Sequence, residues 1–302
     1  MKIHAKALIH FDAIRRCGSI RQAAKQLHLS SSALNRQLLE LESQVGAPLF
    51  ERLHSGLRLT PSGEVLARHV IHVIQDEQRM TLELQAQKGL QSGHINLVTV
   101  EALTHAFVPA ILERMASQHP RVSASVRIAG SRKAADEVSD GSADVAISFL
   151  HQRHTGLQQI AVAPFALGAI VTPGHALASR DGVTFSQCAQ HPLVLPTPEI
   201  SIHEALEPLL RALPGPLQVI MQTNSFELMK QMVRQGRGVA FVNRLGIEDE
   251  LKRGALVHLP LKKAPPSLLG IYVRAGRSLP PAIGRFCQFA AEYLQQRRDE
   301  ES

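Results

Sequence analysis

Apolar residues near the amino terminus recur at helical spacing. Ala7, Phe11 and Ile14 fall on one face with Leu8 beside them, and Gly18 stands where a left-handed residue would end the helix. Ser19-Ile20-Arg21-Gln22 then has the form of a capping box, and Ile20, Ala23 and Leu27 supply the buried face of a second helix. After Leu27-His28-Leu29, the hydroxyls of Ser30-Ser31-Ser32 can cap a third helix, on which Leu34, Leu38, Leu41 and Val45 form an apolar stripe. Its opposite face carries Ser31, Ser32, Asn35 and Arg36, all near the N-terminal end. Two helices joined by a tight turn, the second small and polar where it begins, is the arrangement that enters a major groove. There Asn can pair with adenine, Arg with guanine or phosphate, and Ser with either. A plain three-helix bundle with a polar face accounts equally for the pattern so far.

The period then changes. Pro48-Leu49-Phe50-Glu51-Arg52, His54-Ser55-Gly56 and Leu57-Arg58-Leu59-Thr60-Pro61 read as a hairpin around a Ser-Gly turn, a wing whose Arg52 and Arg58 would hold phosphate. From Gly63 to Lys88 neither Pro nor a further Gly interrupts the chain. Leu66, Val70, Val73, Met80 and Leu84 follow a four-then-three spacing broken at Glu77. This is a coiled-coil seam, and its economical partner is a second copy of the same helix. The alternative is that the stripe packs on the chain's own C-terminal domain. Gly89 to Gly93 reads as a hinge.

Beyond the hinge, short apolar runs alternate with helical patterns. Ile95 to Val100, Val122 to Ile128 and Asp144 to Phe149 read as strands, separated by helices over Thr104 to Ser117 and from Ser131. Leu193-Val194-Leu195, Leu217 to Met221 and Val239 to Val242 repeat the theme, and Ile283, Phe286, Ala290 and Tyr293 mark a last helix. The expected architecture is therefore multi-domain, α+β in mixture. It comprises a winged helix-turn-helix over 1–62, a linker (dimerisation) helix and hinge over 63–92, and an α/β domain over 93–302. The last splits into subdomain I (93–164 plus 266–302) and subdomain II (165–265).

Composition sharpens this picture in two ways. The net charge of +7 is concentrated at the start, since residues 1–62 hold nine Lys/Arg against four Asp/Glu. A basic module of that size points to a polyanion, nucleic acid first among them, with a solvated basic face as the other account. The three cysteines, Cys17, Cys188 and Cys287, are too scattered for a disulfide framework or a zinc site. Lys2, Lys6, Asp12 and Arg15 interrupt any apolar signal-peptide core, and no apolar run approaches the roughly 20 residues of a membrane span. The expectation is a cytoplasmic protein with no membrane association.

Phe11, Gly18-Ser19, Ala23-Ala24, Leu27, Ser30, Leu41-Glu42, Gly46, Leu49-Phe50-Glu51-Arg52, Leu59-Thr60 and Gly63 together form a dense, ungapped pattern. In it the chain resembles the LysR-type transcriptional regulators, and the resemblance continues more weakly to the C-terminus. It implies a periplasmic-binding-protein-like effector domain, dimers that assemble into tetramers, double-stranded promoter DNA and a small-molecule effector as partners, and RNA polymerase as a further candidate partner. No cofactor is implied. Asn35 stands where that family usually has Ser, and Asn243 where it commonly has Pro. The family's first helix start often holds a carboxylate on Ser or Thr hydroxyls, whereas here Ala102-Leu103 replace them and Glu101 brings a negative charge. A less acidic or partly apolar effector follows.

In open α/β sheets ligands sit beyond the carboxyl ends of strands, where helix N-termini aim their amides. That geometry nominates Glu101, Ala102, Thr104, His105, Ser131 and Phe149 from subdomain I, and Thr197, Thr223, Asn224, Phe241 and Asn243 from subdomain II. Thr104, Ser131 and Ser225 serve equally well as plain N-caps. His151 and His154 in a loop lack the further ligands a metal needs. Catalysis finds no support in a GxSxG elbow, Walker loop, dinucleotide fingerprint or HExxH. Two further readings stay open: a thiol redox sensor of the same fold using Cys188 and Cys287, as in some members of the family, and a solute-binding protein without a regulatory role.

Overall fold

The computed structural model describes residues 6–53, 56–87, 93–150, 154–213, 215–276 and 278–301. It divides into two compact units, Met1–Leu90 with Asp140–Ser142, and Gln91–Ser139 with Ala143–Ser302.

The first unit packs three helices, α1 (Lys6–Cys17), α2 (Ile20–Leu27) and α3 (Ser31–Val45), against a hairpin of β1 (Phe50–Leu53) and β2 (Gly56–Leu59) and the start of α4 (Pro61–Gln87). Local chemistry sets each boundary. Ser19 accepts from the Gln22 amide at 3.5 Å, but the return bond of a full capping box does not form among the described contacts. His28 takes a left-handed conformation (φ 56°) and returns its N–H to Ala24 and Lys25, which turns the chain sharply between α2 and α3. Ser30 then caps α3 by accepting from the Ala33 amide at 3.2 Å, and Gly46 ends it at φ 76°. Phe11, Ile14, Ala23, Leu34, Leu38, Leu41, Leu49 and Phe50 form the core. Val45, expected on the same stripe, is 42% exposed, because the last turn of α3 runs beyond that core. The turn of the hairpin, His54 and Ser55, lies outside the described residues.

The linker helix forms, but its seam divides. Val70 is completely buried in the core of the first unit, with Ala67 beside it and Leu66 partly buried against the same cluster. Val70 is thus sealed inside the module of its own chain, where α4 packs against α1 and β2, and offers nothing to a second copy, which corrects its assignment as a dimer contact. Val73 and Met80, further along, are partly buried. The side chain of Leu84 and the hinge over 88–92 lie outside what is described.

The second unit has two lobes. Lobe I carries β3 (Gly93–Thr99), a 3-10 turn (Glu101–Leu103), α5 (Phe107–Gln118), β4 (Val122–Ile128), α6 (Ser131–Ser139), β5 (Val145–Phe149) and β6 (Leu157–Phe165). Lobe II follows with β7 (Leu167–Val171), α7 (Phe185–Cys188), β8 (Leu193–Pro196), α8 (Ser201–Arg211), β9 (Val219–Thr223), α9 (Phe226–Arg234), β10 (Ala240–Asn243), α10 (Glu248–Lys252) and β11 (Val257–Pro260). The chain then returns to lobe I with β12 (Ser267–Arg274) and α11 (Pro281–Glu301). Lobe I is a five-stranded sheet in the order β4-β3-β5-β12-β6, parallel through β3, β4 and β5 and antiparallel at β12. Lobe II repeats the parallel theme through β8, which pairs in parallel with β9 and bridges in parallel from Leu193 to Val239 just before β10, while β7 joins β10 and β11 antiparallel. The two connections between lobes, at Ala166 and between β11 and β12, leave the carboxyl ends of β3 and β5 facing the helix starts of lobe II.

Candidate functional site

In the first unit, α3 separates its faces cleanly. Leu34 is fully buried and Leu38 nearly so, while Ser31, Ser32 and Arg36 are exposed and Asn35 is partly exposed. Ser30 bonds to the Ser32 hydroxyl at 3.2 Å as well as capping the helix, so its side chain serves the start of α3 before anything else. The wing arginines are both exposed and both engaged. Arg52 Nη2 donates to Asn35 Oδ1 at 3.1 Å, and Arg58 pairs with Glu51 across the hairpin. The hairpin register, Glu51 opposite Arg58, creates that pair. Contacts thus join Ser30 to Ser32 and Asn35 to Arg52, while Arg58 pairs with Glu51 on the hairpin; at the start of α3 a helix N-terminus and the Arg36 and Arg52 guanidinium groups favour phosphate.

In the second unit, a cavity of about 180 Å³ opens between the lobes. Glu101, Ala102, Ser131, Phe149, Asn224 and Asn243 line it, as the strand ends required. The lobes touch directly at its edges. A Cβ on Gly130 would stand 2.4 Å from the Glu199 carbonyl oxygen, and one on Gly246 (φ 83°) would stand 2.3 Å from that of Ala102. Gly246 is doubly required, by its left-handed backbone and by that contact.

The other five nominated residues do not line the cavity. Thr104 does not cap α5, which begins three residues later; its hydroxyl donates to the Glu101 carbonyl at 2.7 Å and closes the 3-10 turn. His105 is exposed, with Nε2 3.5 Å from Glu227. Thr223 accepts from the Ser225 amide at 3.1 Å and shapes the entry to α9. Thr197 is hydrogen-bonded through its backbone to Thr223, and its hydroxyl is the main reason the exposed Glu199 carboxyl titrates below its ordinary range. Phe241 is wholly buried against Phe185, with ring centroids 5.0 Å apart; it sits inside β10, in the lobe II core, whereas Asn243 stands at the carboxyl end of the strand, where the cavity begins.

Glu101 holds the most informative position. Its carboxylate accepts from the Phe226 amide at 2.5 Å, from the Ser225 hydroxyl at 3.2 Å and from the Glu227 amide at 3.5 Å. A side chain from lobe I thus caps a helix of lobe II, a role the sequence did not disclose because the partners lie about 125 positions apart. Glu199, Ile200, Ser201, Ile202 and Phe226 also line the cavity and were not anticipated. A signal existed for α8: Ile202, Ala205, Leu206 and Leu209 follow the i, i+3, i+4, i+7 rule immediately after Ser201.

Cys188 and Cys287 are buried, and burial pushes both thiols up to about 12. That environment opposes the thiolate on which redox sensing depends. His154 lies 3.6 Å from Asp136, and His151 is outside the described residues. No helix among the described residues is long and apolar enough to cross a membrane.

Residues 5–64 match the model for the bacterial regulatory helix-turn-helix protein, lysR family, and residues 88–295 that for the LysR substrate binding domain. A RuBisCO operon transcriptional regulator from Allochromatium vinosum is 26% identical over 290 residues, covering 96% of each chain. Full-length OxyR from Pseudomonas aeruginosa, in a variant form, aligns at a TM-score of 0.75 and 19% identity over 95% of each chain. Full-length CbnR complexed with its target DNA aligns at a TM-score of 0.65 and 17% identity, over 95% of this chain and 98% of that one.

Proposed function

The chain belongs to the LysR family of transcriptional regulators, and on that footing we propose that it reads operator DNA with the N-terminal face of α3 and answers to a small molecule held between the two lobes. Its relatives are transcriptional regulators rather than enzymes. One observation carries the DNA half of this reading: Ser31, Ser32, Asn35 and Arg36 face solvent together while Leu34, Leu38 and Leu41 fasten the same helix to the module. Ser31, Ser32, Asn35 and Arg36 contact bases, and Arg52 and Arg58 exchange their intramolecular partners for phosphate. A dimer joined along the exposed length of α4 presents two such helices to a partly symmetric site, and tetramers bring two dimers together. The setting is the bacterial cytoplasm, with RNA polymerase as a downstream partner.

Effector binding alters the closure of the lobes, and closure alters how DNA is bent. Glu101, Ala102, Ser131, Phe149, Asn224 and Asn243 surround the effector, while Thr104 and Thr223 shape the turns that carry Glu101 and Asn224. Footprinting on the chain's own upstream region tests the DNA half. Wild type protects a discrete tract, with affinity that falls steeply as salt rises. Arg36→Ala weakens binding about 10- to 100-fold, corresponding to roughly 1–3 kcal/mol for one lost base contact. Unchanged protection by Arg36→Ala would remove α3 from the interface.

A further inference from the structure

The start of α9 is built to receive an anion. The amides of Phe226 and Glu227 and the hydroxyl of Ser225 converge on one point, at the positive end of a nine-residue helix. What fills that point is the Glu101 carboxylate, delivered from the other lobe. We propose that Glu101 is a built-in carboxylate ligand for α9, and that the cavity beside it is thereby reserved for a small uncharged molecule with an apolar body and a hydrogen-bond acceptor. This inference deepens the effector reading given above and rests on it.

Three observations converge on an uncharged ligand. Glu101 and Glu199 both line the cavity, and none of the residues lining it carries a positive side chain. A second carboxylate entering here meets two like charges in a partly dry space, with the α9 amides already taken. The walls are largely apolar, drawn from Ile128, Phe149, Ile200 and Phe226. Two polar groups in the same wall wait for a partner. Asn243 is 1% exposed; its Oδ1 accepts from the Leu245 amide at 3.1 Å, which leaves Nδ2 buried without an acceptor. Ser131 is 5% exposed, and its Oγ is likewise without a partner. A buried donor is costly to leave unmade, so a carbonyl or amide oxygen of the ligand supplies what Asn243 and Ser131 lack.

Benzoate and benzamide, matched in size and differing in charge, test the idea on the purified full-length chain by thermal denaturation at constant ionic strength. Glu101→Ala empties the anion point. Benzoate then raises the melting temperature of that variant by about 2–4 °C more than it raises the wild type, at several times its dissociation constant. Chloride at equal strength has no such effect. Benzamide stabilises wild type at least as well as benzoate does, and Asn243→Leu abolishes any benzamide shift. The proposal is overturned if benzoate stabilises wild type as much as Glu101→Ala, or if the variant shows no carboxylate-specific rescue. Should Glu101→Ala fail to fold, Glu101→Ser frees nearly the same volume with a polar side chain and carries the same comparison. No DNA enters this measurement, so its failure is separable from a failure of footprinting.

Discussion

Helix α3, proposed to read DNA, and the cleft between the lobes, proposed to hold the effector, are assembled by opposite strategies. At α3 each functional side chain is placed by neighbours close in sequence. Ser30 caps its own helix, Leu34 and Leu38 fix the rotation, and the most distant polar partner, Arg52, lies 17 positions from Asn35. In the cleft the decisive contacts join lobes across more than a hundred positions, as Glu101 does with the start of α9. The helix therefore tolerates damage elsewhere in the chain, whereas the cleft depends on a network that any one member can upset.

Lys230 offers the harshest way to break the cleft side of this contrast. It is 2% exposed, 2.9 Å from Glu227, 2.8 Å from Glu250 and 3.2 Å from the Gly246 carbonyl. Burial works to pull its pKa down, but hydrogen bonds and charge from Glu250 and Glu227 outweigh that and raise it. Lys230→Met leaves the Glu250 carboxylate largely buried without its cation. We expect a loss of about 3–5 kcal/mol, somewhat reduced because Glu227 is half solvated. Calorimetry of the full chain checks it: the transition of the second unit falls while that of the first stays in place. A fall of both together would deny the independence of the two regions.

This contrast also explains how much could be read in advance. The three N-terminal helices, the wing and the exposed polar side chains of α3 follow from periodicity, caps and a turn, all of which act within a few residues. Strand ends then located Ser131, Phe149 and Asn243 at the cleft, because a parallel sheet fixes where ligands sit. Phe241 escaped, since the sequence did not show where β10 ends: the strand runs to Asn243, which leaves Phe241 in the lobe core, two residues short of the cleft. Val70 escaped for a related reason. A heptad stripe records which residues avoid water and not whose atoms cover them, and here the core of the chain's own N-terminal module, α1 and β2 against α4, covers it. Glu101 was visible as a charge but not as a cap.

A milder perturbation comes from pH. His258 is partly buried on β11, with Nε2 donating to the Val242 carbonyl at 3.1 Å. Burial is the largest cause lowering its pKa to about 4, and the charge of Arg244 adds to it, against the opposing Val242 bond. The unfolded chain, with an ordinary value near 6.5, binds the proton first. The stabilising effect of the neutral ring is thus complete above pH 6.5 and is lost as pH falls toward 4, with no further loss from this group below that. The expected decline is about 3 kcal/mol over the interval, at roughly 1.4 kcal/mol per unit. Urea unfolding of the second unit between pH 7 and pH 4 measures it. His258→Gln flattens the dependence in that window, and an unflattened profile would assign it to other groups.

The smallest effect in free energy sharpens the comparison most. Asn35 is held by Arg52 through its carbonyl oxygen, so its amide N–H groups are the part presented outward from α3. Asn35→Ser removes that amide and the Arg52 contact together while leaving Leu34, Leu38 and Leu41 untouched. Because nothing in the core depends on it, stability should change by no more than about 0.5 kcal/mol. Affinity for the preferred operator should fall about 5- to 10-fold, near the lower end of what one base contact contributes. The informative readout is the preferred sequence, obtained by selecting binding sites from random duplexes with wild type and variant side by side. If Asn35 reads a base, preference shifts at one position in each half-site and stays fixed at the others. A motif that is identical for both proteins, bound uniformly more weakly by the variant, would show instead that Asn35 and Arg52 only position the module on phosphate.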